Sequence, residues 1–326
     1  MTPGEIMTVA VVAARSFNNN FERALLLMAQ TGYVPKTRCL SISRFNRQLH
    51  RYGDFLDFCL QTLMEVATVG EVFVIDSLPT PVCKRARARR CRKVRGRAYC
   101  GYCAAKKEKF FGWRLHLICT PSGVPVSFEL LPAAFHDLTP IYEISVNLPA
   151  GATLYGDKAY NCAPAEAVLA ADLVRLIPIR RSNMQPHDWA DEYDLRLYRK
   201  SIETVNSQLE SMGIEHLRAR TNEGFEIKVH ASLIALWHSQ MLANQQSRYI
   251  GVTGNIARSR SFANNWEKRL ACGAADSVPN KLVRVHISCR SLLNEEMERP
   301  PGWTAFGFAG ANGSGGTSRG PNRRYQ

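Results

Sequence analysis

The chain has 326 residues, 45% of them hydrophobic, which is enough for a substantial core arranged as one large domain with appendages or as two domains. Lys and Arg number 42 against 28 Asp and Glu, a formal net charge of +14 that favours a polyanionic partner such as nucleic acid. No apolar run approaches the roughly 18–20 residues of a membrane span, and the opening MTPGEIMTVAVVAA carries Glu5 without a basic leader, so a cytoplasmic protein is expected rather than a membrane or exported one.

The first seventy residues read as helices. Residues 5–15 and 21–30 are apolar-rich segments punctuated by Asn18–Asn20, and a third segment starts at an N-cap, Ser41 or Ser43, and runs on to about residue 67. Phe45, Leu49 and Tyr52 recur at the helical period, with Arg44, Arg47 and Arg51 on the other side. Such a basic helix suits a helix-turn-helix lying in a DNA groove, or a helical cap whose arginines are simply solvated.

From residue 71 the period changes. EVFVID (71–76) reads as a buried strand, and residues 110–120 and 124–132, separated by Pro121-Ser122-Gly123, read as an antiparallel hairpin beside it. A helix is expected over 137–147, a short strand at ATLY (152–155), a helix over 163–172 with Pro164 near its start, and a strand over 173–180. A polar loop then leads to a long helix holding Glu203, and residues 224–245 form a further apolar helix. The expected fold class is α/β: a mixed sheet flanked by helices over 71–247, preceded by the helical region 1–70. Residues 248–326 hold 12 Lys/Arg and 5 Asp/Glu, end in a Gly/Ser-rich stretch, and are expected to be a basic, largely disordered extension.

Three acids stand out by their settings. Asp76 ends an apolar β-branched run, Asp157 follows a short strand in YGDKAY, and Glu203 lies mid-helix in RLYRKSIETVNSQLE. Carboxylates from strand ends and a helix can be assembled around divalent cations, which take oxygen ligands and share substrate phosphates. Two such ions clamp both oxygens of an in-line phosphoryl displacement. Each acid also has an ordinary role open to it: a turn or loop cap for Asp76 and Asp157, a solvated helix face for Glu203. Lys158 beside Asp157 suits a phosphate as a point charge, and Arg199, four residues before Glu203, suits either that carboxylate or a DNA phosphate.

Between the first two acids lies KRARARRCRKVRGR (84–97), with nine Lys/Arg and no acid; Lys84, Arg85, Arg87, Arg89 and Arg90 head the run, and Lys106, Lys107 and Lys109 extend it. Neutralising phosphates with such groups gives salt-sensitive DNA binding, although a flexible solvated loop has the same composition. Cys83, Cys91, Cys100 and Cys103 are spaced C-x7-C-x8-C-x2-C, which would serve a zinc site but for the wide first pair; free thiols are the preferred reading.

The segments IDSLPTPVC, GYCAAKKEKFFGWRLHLICTPSGVPVSFELLPAAFHD, LPAGATLYGDKAYN and YRKSIETVNSQL together resemble bacterial insertion-sequence transposases of the DDE type. The resemblance is strongest to the insertion-sequence group nine-eighty-two, related to groups four and five, and spans about residues 5–245. It implies a ribonuclease-H-like domain that cleaves DNA at element ends and transfers the 3′-hydroxyl to target DNA. It also implies Asp76, Asp157 and Glu203 as catalytic metal ligands for two Mg²⁺ or Mn²⁺ ions. Further implications are Arg199 as the matching arginine, His136 and Asp137 near the site, double-stranded DNA (terminal repeats and target) as partner, and a homo-oligomer in a bacterial, nucleoid-associated setting. Related groups carry a basic residue seven positions after the glutamate, where this chain has Glu210. A ribonuclease-H-like nuclease that cuts without joining, and an inactive DNA-binding relic, are the alternatives.

Overall fold

A computed structural model describes residues 1–104, 106–145 and 147–253. Helix α1 (Pro3–Phe17) opens with a capping box: the Thr2 hydroxyl accepts from the Glu5 amide at 3.2 Å, and the Glu5 carboxylate accepts from the Thr2 amide at 2.7 Å. Helix α2 (Phe21–Gln30) is capped by Asn20, whose side chain accepts from the Arg23 amide. Between them Asn18 and Asn19 take left-handed backbone angles, which asparagine tolerates better than most residues. The third predicted helix is two: α3 (Ile42–Arg51), starting after Ser41, and α4 (Gly53–Ala67), with Tyr52 out of helical geometry between them.

The sheet has six strands: β1 (Val72–Lys84), β2 (Cys100–Cys103), β3 (Glu108–Cys119), β4 (Pro125–Pro132), β5 (Thr153–Gly156) and β6 (Arg175–Pro178). β1 pairs antiparallel with β3 and parallel with β5, and β5 pairs parallel with β6. On its other side β3 takes both β2, along its first residues, and β4, along the remainder. Three antiparallel strands followed by two parallel ones, with the first strand central, is the ribonuclease-H-like arrangement. Helices α5 (Ile141–Ser145), α6 (Ala163–Ala171), α7 (Trp189–Ser211) and α8 (Asn222–Thr253) complete the described chain.

Several predicted elements changed in length. β1 continues eight residues beyond Asp76, through Pro79 and Pro81, because from Ser77 onward it pairs with β3 alone. A strand edge with no partner loses nothing when proline removes an amide donor there. β2 lacked any apolar alternation to announce it and exists by pairing with β3. α5 is one short turn rather than the helix expected over 137–147, and β6 is half the predicted length because Leu173 turns at φ 59°. α8 continues to Thr253; most of the predicted extension, residues 254–326, lies outside the described residues.

Alternation along the central strands sorts the core into two layers. Phe73, Ile75, Leu154 and Leu176 face α5 and α6, where Ile141, Ile144, Tyr160, Ala165 and Leu169 pack against them. Tyr155 and Ile177 face α7 and meet Leu195. Val74 and Asp76 alternate with Phe73 and Ile75, so Asp76 points to the α7 side. α8 carries the apolar stripe that holds α1 and α4 against this core, with Phe225, Val229, Leu233 and Leu236 fully buried. The Lys228 ammonium donates to the Asn19 backbone carbonyl at 2.9 Å and lies 4.4 Å from the Phe21 ring centroid, while the Asn19 side-chain Nδ2 donates to the Ser232 hydroxyl. No helix among the described residues is long and apolar enough to cross a membrane.

Candidate active site

One pocket opens between the carboxyl ends of the parallel strands and α7, and Asp76, Asp157, Arg199 and Glu203 all line it, with Val74, Tyr155, Leu195 and Ile202 as apolar walls. Each residue arrives by a different local rule. Asp76 is the fifth residue of β1 and is held there by the register Asp76–Leu117 with β3. Asp157 directly follows β5, where Gly156 passes close to the Tyr160 ring; a Cβ at Gly156 would lie 3.0 Å from it. Asp157 precedes a 3₁₀ turn (Lys158–Tyr160) but makes no side-chain capping hydrogen bond, so the capping role open to it in the sequence is not filled. Glu203 is on α7, whose buried face is Leu195, Ile202, Val205 and Leu209; the carboxylate leaves from the shoulder of that face.

Arg199 links the acids. Its Nε donates to Glu203 Oε1 at 2.7 Å, and its Nη1 stands 3.8 Å from Asp157 Oδ1. Asp76 is held by two donors: the Ser77 amide to Oδ1 at 2.8 Å and the Asn206 side chain to Oδ2 at 2.8 Å. Asn206 lies one turn beyond Glu203, so α7 supplies both a carboxylate and the donor that orients a second one. Burial pushes the Asp76 carboxyl up to about 6 despite these donors, and the charges of Asp157 and Asp137 add to the rise. On the opposite sheet face, Arg114 donates to Asp137 at 3.0 Å and sits near Ser77, and the buried His116 is lowered to about 4 by desolvation. Asp137, adjoining the site by charge, is thus an ion-pair partner of Arg114; His136 is exposed and accepts from the Leu138 amide.

Oxygen donors alone suit a hard divalent cation. Among the described residues no three His, Cys, Asp or Glu side chains converge as ligands of one ion. The Arg199 guanidinium instead pairs with two of the acids, and Asp76 is raised first by its burial and then by the neighbouring charges of Asp157 and Asp137. Both observations fit a pocket that accepts further positive charge. Cys83, Cys91, Cys100 and Cys103 are free and form no ligand set among the described residues.

The predicted basic residues divide into those at the pocket and those away from it. Lys158 is exposed and adjoins Asp157. Lys84, Arg85, Arg87, Arg89 and Arg90 lie at and beyond the far end of β1, and Lys84 stands 3.6 Å from Glu108. At about 3.3 Å per residue that end is roughly 26 Å from Asp76, so adjacency in sequence does not make the run part of the pocket. Lys106 does not extend the free patch: it pairs with Glu210 at 3.0 Å and with Glu215. Glu210, which stands where related sequences carry a basic residue, thereby clips the β2–β3 turn to the end of α7. Arg44 and Arg47 are on α3, outside the pocket lining. Asn206 and Arg114 were missed in the sequence; Asn206 is findable from its i+3 position after Glu203, whereas nothing local marks Arg114.

Residues 66–222, a little under half of the chain, match the family model described as a transposase DDE domain. No curated protein matches. Among solved structures, the piggyBac transposase synaptic complex with hairpin DNA is 11% identical with a TM-score of 0.41, over 92% of this chain and 77% of that one. The Mos1 transposase paired-end complex with left transposon end is 11% identical with a TM-score of 0.23, over 65% of this chain and 78% of that one.

Proposed function

We propose that this chain, with a transposase DDE domain over residues 66–222, is a DNA transposase that cuts DNA at the ends of a bacterial insertion sequence of group nine-eighty-two and joins the freed 3′-hydroxyl to target DNA. The observation that carries the proposal is that Asp76, Asp157 and Glu203, drawn from two strands and a helix, line one pocket within the matched domain. These three acids would hold Mg²⁺ or Mn²⁺, two ions in all. Bound there, the ions supply a water nucleophile at neutral pH and screen the charge that gathers on the phosphate.

The chain's own groups have defined tasks. Asp76 must release its proton to act as an oxygen ligand, and Asn206 with the Ser77 amide fixes which way its two oxygens point. Arg199, once its carboxylates are otherwise neutralised, and Lys158 are placed to grip phosphate oxygens beside the cut. Lys84, Arg85, Arg87, Arg89 and Arg90, together with Arg44 and Arg47, follow the duplex away from the pocket and hold it by its backbone. The enzyme would act in the bacterial cytoplasm on nucleoid DNA, as a homo-oligomer, since pairing two element ends requires two sets of these surfaces.

The test is nicking of a terminal-end oligonucleotide with Mg²⁺ against the same reaction in EDTA. Asp76→Asn, Asp157→Asn and Glu203→Gln are each expected to lower cleavage by at least about 10²–10³-fold, the scale of losing one preorganised electrostatic group, while duplex binding survives. Near-normal cleavage by any variant removes that residue from the site. Cutting without joining, when a pre-cut 3′-hydroxyl end is supplied with target DNA, would mark a nuclease instead.

A further inference from the structure

Upstream of Glu203, the outward face of α7 carries an unusual mixture. Trp189, Tyr193 and Leu197 recur every four residues and are 77%, 62% and 49% exposed. Arg196 and Lys200 are exposed on the same outward face, and neither pairs with an acid among the described residues. A helix face is ordinarily apolar toward the core or polar toward water, and the buried face of α7 is already complete with Leu195, Ile202, Val205 and Leu209. The exposed rings therefore contribute little to this core.

Rings alternating with unpaired basic groups are what a single-stranded nucleic acid needs, because each base offers a face for stacking and each phosphate a charge for pairing. A duplex shows only base edges in its grooves and cannot stack on a side chain until it opens. We propose that this face is a stacking platform for unpaired DNA beside the cut site, with bases on Trp189 and Tyr193 and phosphates on Arg196 and Lys200. The proposal rests on the function argued above. At 1.5 Å per residue, Tyr193 and Trp189 lie about 15 and 21 Å from Glu203 along the helix, within reach of a strand a few nucleotides long that leaves the pocket.

The test is binding of full-length protein in EDTA, so that nothing is cut, to a blunt mixed-sequence duplex and to the same duplex with an eight-nucleotide single-stranded overhang. The wild-type chain is expected to prefer the overhang by about ten- to a hundredfold, from stacking of one or two bases. The Trp189→Ala/Tyr193→Ala double variant should lose that preference and keep its affinity for blunt duplex; Trp189→Phe/Tyr193→Phe should retain most of it. If the overhang is not preferred, or if the alanine variant still prefers it, the platform is wrong while the transposase proposal stands. If neither DNA binds, the transposase proposal itself falls. If sedimentation shows a wild-type dimer that the alanine variant breaks with DNA preference unchanged, the face joins two copies of this chain and the platform is overturned.

Discussion

At the scale of the residue, Asp76 carries a measurable signature of its setting. Its folded-state affinity for a proton is raised, to about 6 from an ordinary value of 3.8. Between those values the native state holds a proton that the unfolded chain has already lost, so this group makes stability fall as pH rises from about 4 to about 6. Above that window the wild-type protein bears the whole cost of a desolvated carboxylate. Asp76→Asn does not titrate, and rotation of the Asn206 amide lets it keep a hydrogen bond. In metal-free buffer the variant is expected to be more stable than wild type by roughly 2–3 kcal/mol at pH 7.5 and equal to it near pH 4, read by thermal melts at both pH values. Equal melting at both would show that Asp76 is not desolvated as described. The acid itself was legible because it closes a β-branched run. For its partner Asn206 only the place one turn after Glu203 was legible and not the role, since an asparagine on a polar helix face has no signature until a strand is brought opposite.

At the scale of the element, β1 explains where sequence reading stopped short. The strand was read as EVFVID, ending at Asp76, yet it runs on through Pro79 and Pro81 because its far side there has no strand partner, among the described residues, to demand amide donors. Its register with β3 shifts between Pro81 and Cys83, opposite Gly112. A Cβ at Gly112 would lie 2.5 Å from the Val82 nitrogen and 2.8 Å from the Thr80 carbonyl oxygen, both backbone atoms. Gly112→Ala is therefore expected to destabilise by about 2–3 kcal/mol, the upper part of the range for overpacking because the opposing atoms cannot swing away, measured by urea unfolding. A change below about 0.5 kcal/mol would mean the bulge relaxes freely. α6 and α7 were legible from apolar spacing and, for α6, its early proline. The break between α3 and α4 was not, because one non-helical residue leaves the apolar rhythm on either side almost intact.

At the scale of the whole molecule, the mixed sheet flanked by helices and the hairpin beside β1 followed from reading short strands between helices, whereas the order β3-β1-β5-β6 was not legible because it is fixed by pairings distant in sequence. The way the N-terminal helices dock did not, because it depends on α8, which meets α1 and α4 from the other end of the described chain. Charge, by contrast, was readable throughout. The arginines of residues 85–90 lie at the surface and away from the pocket, so they should govern DNA affinity and not the chemistry. Replacing Arg85, Arg87, Arg89 and Arg90 with Gln is expected to flatten the slope of log K against log salt by about 0.9 for each phosphate left without its cation. The rate of cutting DNA already bound should stay unchanged. An unaltered slope would place the duplex elsewhere on the protein.

The Arg199 guanidinium reaches both Asp157 and Glu203, so the two acids share one cation in the folded chain. Under the proposed function, loading of a divalent ion would then be an exchange of one cation for another. The concentration of metal needed would be set partly by Arg199, and each exchange would free a planar fork of donors for a phosphate. Arg199→Ala is expected to bind Mn²⁺ several-fold more tightly by calorimetry; an unchanged affinity would mean that the arginine does not guard the pocket.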